Sequence, residues 1–181
     1  HHVVFIDKPD RSQCQVRVGQ RGVRHQCSDF PAFLLANDCF GVGFQSRLMQ
    51  EIRVKNGWSY FAFSGPGIAL KDTGWSMGFA PAEHQLSQAI AKSQELLKNA
   101  VESGFTQDEL EQMRQTRLMS RPFLMDTAMK RLELQLGKDW LGYDRLATIE
   151  VMRELELDAV NTAFAQTLNG PKVTVVVGTW E

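Results

Sequence analysis

Hydrophobic and polar positions divide the chain into a strand-rich first part, a long helical part and one last strand. Strand patterns fall at residues 3–6, 13–18, 58–63, 74–80 and 173–178. In the second of these, Cys14, Val16 and Val18 share one face and polar residues the other, so one side should face solvent. The last run is β-branched without interruption, which is typical of a strand inside a sheet.

Helical periodicity and helix-end signals account for most of the remaining residues. Ser28-Asp29 followed by Pro31 is typical of a helix start, and the apolar residues after it continue to Gly41. A second, short helix is predicted over residues 45–55, and Gly57 ends it. Later helices are predicted over residues 82–103, 107–120, 144–153 and 157–168.

The clearest helix boundary is the capping box that runs from Thr106 to Glu109, with the apolar pair Phe105 and Leu110 around it. Pro122 predicts a break after the helix that begins there.

Methionines and leucines recur on both sides of this break, and we assign them to the core, with a methionine-lined binding groove as the alternative. They are Met113, Leu118, Met119, Leu124, Met125, Met129, Leu132 and Leu136. Gly137 and Gly142 are expected to bracket a loop that holds Trp140.

The order of these elements predicts the fold class. Strands first, then long helices and one returning strand indicate an α+β fold, a two-layer sandwich with helices on one face of a sheet. We expect a single domain over residues 1–181. Because His1-His2 leads straight into a strand, we interpret the chain as a domain cut from a longer one, with residues 1–2 as a tag remnant.

Charge and hydropathy exclude several classes of partner. The chain carries 20 basic and 21 acidic residues and has no basic block, so we expect no nucleic-acid partner. No run reaches the roughly 18 apolar residues of a membrane span, so we expect a soluble segment without one. Bacterial periplasm and cytoplasm both stay open as its compartment.

The histidines form no metal-binding pattern. A zinc hydrolase needs ligands at helical spacing, such as two histidines one turn apart beside a glutamate. The chain has only His1, His2, His25 and His84, and none belongs to an H-x-x-E-H motif. We therefore expect no metal and no other cofactor to be held by this chain.

The cysteines give no redox or zinc-ribbon motif either. Cys14, Cys27 and Cys39 lack C-x-x-C spacing, and we interpret them as buried or inert thiols.

The stretch over residues 40–60 carries the candidate chemistry. A turn containing Gly41 and Gly43 opens the second predicted helix, which places Arg53 in its last turn and Tyr60 on the strand that follows. A guanidinium and a phenol aimed at one place suit the binding of a peptide carbonyl or a developing oxyanion. Arg53 and Tyr60 are thus the candidate catalytic residues.

Each of these features also has a plain structural interpretation. Arg53 could form a surface ion pair, and Tyr60 could be a half-buried strand aromatic. The glycine turn lacks the Lys and the third glycine of phosphate-binding loops, so close packing of two helices explains it better.

Residues 40–60 resemble the second-domain signature of the insulinase, pitrilysin and mitochondrial processing peptidase family. The signature is a glycine-rich turn, then Ser-Arg-Leu, then an Arg and a Tyr seven residues after it. Here it reads Gly41, Gly43, Ser46-Arg47-Leu48, Arg53 and Tyr60, with Val42 and Gln45 in place of a usual glycine and serine. The likeness continues in order through residues 3–9, 29–36, 104–110 and 173–178.

The resemblance implies a fold of the LuxS and mitochondrial-processing-peptidase-like metallohydrolase type, with a mixed, mostly antiparallel sheet. It also implies the second, metal-free domain of a zinc-dependent endopeptidase. Zinc would lie in a partner domain or subunit that bears H-x-x-E-H. Arg53 would then clamp the backbone of a peptide substrate, and Tyr60 would donate a hydrogen bond to the carbonyl under attack.

Two other hypotheses stay open. One is a proteolytically inactive structural or interaction relative of the same family. The other is a binding module whose exposed sheet edge accepts a peptide as an added strand.

Overall fold

A computed structural model describes residues 2–71 and 73–179. Within them, a mixed sheet forms one layer, with strand order β1-β5-β2-β4-β3. The strands are β1 (His2–Asp7), β2 (Gln15–Arg21), β3 (Ala62–Pro66), β4 (Gly74–Phe79) and β5 (Val173–Gly178). β1 pairs with β5 in parallel, and the other neighbours are antiparallel. β5 therefore lies inside the sheet, as its β-branched run predicted.

Helices form the second layer. They are α1 (Phe30–Gly41), α2 (Arg47–Met49), α3 (Leu86–Ser103), α4 (Gln107–Ser120), α5 (Ala128–Leu141), α6 (Arg145–Val151) and α7 (Leu157–Leu168). A π-helical segment, Gln50–Lys55, continues α2, and Pro122–Leu124 is a 3-10 turn before α5. The predicted α+β two-layer architecture is confirmed. None of the described helices has the length and apolar content needed to cross a membrane.

The core lies between the sheet and α1, which packs in turn on α7. Val16 and Met77 point from the sheet into this core and are almost completely buried. The ring centroid of Phe40 lies 6.1 Å from that of Trp75 on β4 and 5.7 Å from that of Phe164 on α7. The helix α1 therefore lies between the sheet and α7 and contacts both.

Gly41 lets α1 approach β3 closely. A Cβ added at Gly41 would lie 2.2 Å from Ser64 Oγ and 2.8 Å from Ser64 N. Asn37 Nδ2 donates to Ser64 O at 3.1 Å, and Ser64 Oγ donates to Asn37 Oδ1 at 2.8 Å. The close approach that we predicted therefore exists, but the partner of α1 is a strand and not a second helix.

The helix α4 begins as its capping box predicts. Thr106 Oγ1 accepts a hydrogen bond from Glu109 N at 3.3 Å, and Glu109 Oε2 accepts one from Thr106 N at 2.8 Å. Phe105 and Leu110 are both buried.

The segment on both sides of Pro122 differs from the prediction. Gly137 and Trp140 lie inside α5 and not in a loop. Met113 is buried, but Met119 is 70% exposed and Met129 63% exposed. The assignment to the core holds for Met113 but was wrong for the exposed side chains, because helical spacing shows which residues share a face but not whether another element covers it. These are Met119, Met125, Met129, Leu132 and Leu136.

Of the two residues interpreted as a tag remnant, His2 is the first residue of β1. His2 pairs with Val173 in the sheet, whereas His1 lies outside the described residues.

Candidate functional site

Arg53 lies on the π-helical turn Gln50–Lys55. The backbone hydrogen bonds there span five residues instead of four, because Asn56 N donates to Glu51 O at 3.3 Å. Gly57 ends the turn with a φ of +63°, which favours glycine, and its N donates to Arg53 O at 3.0 Å. Ile52 is fully buried and anchors the turn, whereas the side chain of Arg53 is half-buried. π-Helical turns are uncommon and recur at functional sites.

Tyr60 lies between this turn and β3, not on the strand predicted over residues 58–63. β3 begins only at Ala62. The buried hydroxyl of Ser59 donates to Phe61 O at 2.6 Å and accepts a hydrogen bond from Ala80 N at 2.9 Å. These bonds hold the segment in a bend, so Tyr60 lies on a loop whose backbone is fixed.

The structure brings the two candidate side chains together at the surface. Cζ of Arg53 lies 4.5 Å from the centroid of the Tyr60 ring, and Tyr60 is 78% exposed. Within residues 2–71 and 73–179, neither the guanidinium nor the phenol hydroxyl forms a hydrogen bond or an ion pair. The surface ion pair considered for Arg53 is therefore not formed among these residues.

This arrangement leaves both groups able to bind a molecule from outside. A cation above an aromatic face is attracted by the ring, so Tyr60 orients Arg53 without using its N–H donors. The guanidinium keeps five N–H donors in a planar fork, and the phenol keeps its O–H donor. Together they can bind carbonyl oxygens of an extended backbone or a developing oxyanion.

Phe44 is a third member of the site, and sequence reasoning missed it. Its ring centroid lies 5.5 Å from Cζ of Arg53, and the side chain is 54% exposed. Gln50 Nε2 donates to Phe44 O at 2.7 Å and fixes its backbone. The signal in the sequence was an aromatic directly after Gly43, whose φ of +77° turns the chain.

The Ser-Arg-Leu motif, residues 46–48, fixes the backbone that carries the site. Ser46 Oγ donates to Gly43 O at 2.8 Å, and Leu48 is fully buried. Arg47 donates two hydrogen bonds to the carboxylate of Glu109, at 2.6 and 2.7 Å. The motif thus ties the glycine turn to the start of α4.

The part of the chain that the structure describes contains no group of three or more His, Cys, Asp or Glu side chains that could hold a metal ion. The cysteines are free, with Cys14 and Cys39 buried and Cys27 exposed. Burial raises the pKa of the Cys14 and Cys39 thiols, which keeps both in the unreactive protonated form.

Comparison with known proteins places the chain in a family. Residues 1–117 match the sequence profile described as the peptidase M16 inactive domain. The chain belongs to this family. The resemblance to insulinase-like metallopeptidases is thereby confirmed, and it rests on a stretch that contains Arg53 and Tyr60.

The M16 domain is also similar to individual relatives. Over 103 residues it is 29% identical to the non-peptidase homolog YmxG of Helicobacter pylori, a match that covers 56% of this chain and 24% of that protein. A crystal structure of a peptidase M16 inactive domain from Pseudomonas fluorescens has a TM-score of 0.86 at 22% identity. That match covers 99% of this chain and 43% of the other.

A protease from Helicobacter pylori shares the fold as well, with a TM-score of 0.81 at 15% identity over 97% of this chain and 43% of that one. The M16 domain thus spans less than half of each of these three relatives.

Proposed function

We propose that this M16 domain is the second, zinc-free half of a zinc-dependent endopeptidase and that it completes a peptide-cleaving site with a partner. The partner is a peptidase domain or subunit that bears H-x-x-E-H and holds the zinc. Arg53 binds the substrate backbone, and Tyr60 donates to the carbonyl oxygen under attack. The observation that carries the proposal is the unpaired Arg53 guanidinium, whose Cζ lies 4.5 Å from the centroid of the exposed Tyr60 ring.

The chemistry follows from where charge develops. A zinc ion held by the H-x-x-E-H motif of the partner would supply the Lewis acid. As the carbonyl becomes tetrahedral, its oxygen gains negative charge. The hydrogen bond from the Tyr60 hydroxyl to this oxygen is therefore stronger in the transition state than in the bound substrate. Arg53 binds backbone carbonyls before and during this step, so it contributes to substrate affinity.

The test uses the assembled protein, zinc-bearing half included, with a peptide substrate. Tyr60→Phe should lower kcat about a hundredfold, the usual effect of losing one oxyanion donor. Arg53→Ala should raise KM about tenfold or more, because a charged hydrogen-bond donor to the substrate is lost. Both variants should retain the zinc content of the wild type.

Matched controls are available in the same chain. Tyr143→Phe changes the other tyrosine of the sequence, which is half-buried, and Lys55→Ala removes a cation that is paired with Glu51 at 2.5 Å. Neither should change kcat or KM by more than about twofold. The proposal would be contradicted if the control variants changed kcat and KM as much as the site variants do.

A second candidate function is that of a proteolytically inactive relative that acts as a structural or interaction domain. It is favoured by the name of the Helicobacter pylori relative, a non-peptidase homolog. The same experiment separates the two functions. A wild-type assembly that cleaves no peptide although its zinc site is filled, or site variants that cleave at the wild-type rate, would support this second function.

A further inference from the structure

The helix α5 is apolar on two opposite sides, and only one side faces its own domain. The inner side carries Leu134 and Leu141, which are half-buried, and no residue of α5 is fully buried. A cleft of about 300 Å³ lies beneath this side, and Tyr143 and Arg145 contribute to its lining. A helix that is apolar on two sides needs two partners, and this domain supplies one.

The outer side of α5 forms an exposed apolar stripe. Its members are Met129, Leu132, Leu136 and Trp140, which are 63%, 51%, 53% and 73% exposed. At about 100° per residue, these positions fall within roughly 80° of arc and extend over about 17 Å of helix. Such a narrow, straight seam has the geometry of a helix–helix contact.

Acidic side chains border this stripe. Glu133, which also contributes to the lining of the cleft, lies on one side and Asp139 on the other, and both are exposed. The three cations of α5 are engaged away from it, because Lys130 binds Asp126 at 2.9 Å, Lys138 binds Asp144 at 2.8 Å and Arg131 donates to Met125 O at 2.8 Å. The rim of the stripe is therefore negative.

We propose that the α5 stripe is a docking surface for an amphipathic helix with an apolar face and Lys or Arg on its flanks. The apolar seam supplies the contact area, and the acidic rim selects the basic flanks of the partner. An antiparallel second copy of α5 would bring Glu133 close to its own equivalent. An anionic lipid surface would meet the same negative rim, so charge disfavours both occupants.

The test measures fluorescence anisotropy of labelled helical peptides with the 181-residue chain. One peptide has a leucine face with lysine flanks, a second has glutamate flanks, and a third has serines in place of the leucines. The lysine-flanked peptide should bind roughly tenfold more tightly than the glutamate-flanked one. The serine peptide should show no saturable binding.

Variants assign the binding to α5. Leu132→Ser combined with Leu136→Ser should weaken the lysine-flanked peptide about tenfold or more. The matched control is Leu70→Ser, since Leu70 is 56% exposed and lies outside the stripe. Glu133→Lys combined with Asp139→Lys leaves the apolar residues in place and should reverse the preference between the two flanks.

Three results would overturn the proposal. The lysine-flanked and glutamate-flanked peptides could bind equally well, or the lysine-flanked peptide could fail to bind. The third is that both double variants bind the lysine-flanked peptide as the wild type does. Dimer formation that Leu136→Ser abolishes, seen in sedimentation without any peptide binding, would make a second copy the occupant. Binding to anionic vesicles in preference to the lysine-flanked peptide would make it a membrane surface.

Discussion

Arg47 and Glu109, 62 residues apart in sequence, form an ion pair with two hydrogen bonds of 2.6 and 2.7 Å. The pair joins the segment beneath the candidate site to the capping box of α4. Burial alone would raise the pKa of Glu109, but hydrogen bonds from Arg47 and Thr106 and the charge of Arg47 lower it below its usual value. The folded state therefore binds the ionised form of Glu109 more strongly than the unfolded chain does.

This pair predicts a loss of stability at acidic pH. Because the pKa of Glu109 is lowered in the folded state, its contribution is present above the ordinary glutamate pKa and is lost as the pH falls through the folded value. Glu109→Gln should remove on the order of 1 kcal/mol at neutral pH and flatten the pH dependence. Urea unfolding between about pH 3 and pH 7 measures both effects.

The control for this measurement is Glu95→Gln, which breaks an exposed pair with Lys92 on α3. It should change the free energy of unfolding at neutral pH by less than about 0.5 kcal/mol, because the pair is exposed. An identical curve for Glu109→Gln and the wild type would show that the ion pair does not couple folding to pH.

Gly41→Ala tests the close approach of α1 and β3. The new methyl group would meet Ser64 Oγ at 2.2 Å and the Ser64 backbone, so β3 must shift. We expect a loss of about 1–3 kcal/mol in the free energy of unfolding, measured by chemical denaturation. Gly65→Ala on the same strand is the control, since nothing lies within 4 Å of its added Cβ. Equal losses in the two variants would contradict a steric cause.

Asp38→Ala tests the buried ion pair that joins α1 to α4. Asp38 is 1% exposed, and both of its carboxylate oxygens accept hydrogen bonds from Arg117. Removal of the carboxylate leaves Arg117 largely buried without a counter-ion, which costs about 3–5 kcal/mol. Glu150→Gln breaks two exposed pairs, with Arg121 and Arg153, and should leave the denaturation midpoint nearly unchanged. If Asp38→Ala had the same denaturation midpoint as the wild type, Arg117 would have found another counter-ion.

Phe44→Ala tests the third member of the candidate site, and its effect on cleavage depends on the proposed function. The ring is 54% exposed, so the variant should keep the stability of the wild type. It frees one side of the Arg53 guanidinium, and we expect KM for a peptide to rise about threefold to tenfold with kcat nearly unchanged. Phe123→Ala, which removes another exposed ring, is the control. A fall in kcat alone would assign Phe44 a different role.

Local chemistry explains which elements could be predicted. The capping box from Thr106 to Glu109 needs only residues three positions apart, so sequence alone determined where α4 begins. The β-branched run of β5 likewise predicted its interior place in the sheet. The strand expected at residues 58–63 begins only at Ala62, because the hydroxyl of Ser59 bonds to Phe61 O and Ala80 N, and Ala80 is distant in sequence.

The sequence by itself determined the order of the strands and of the helices other than α5, the family signature and the identity of Arg53 and Tyr60 as candidates, because these depend on residue type and short-range spacing. Only the tertiary structure showed that Phe44 shares their site and that the stripe of α5 is uncovered. Both facts depend on which distant segments pack against a given surface. Periodicity along the chain records the faces of a helix, but three-dimensional packing decides which face is buried.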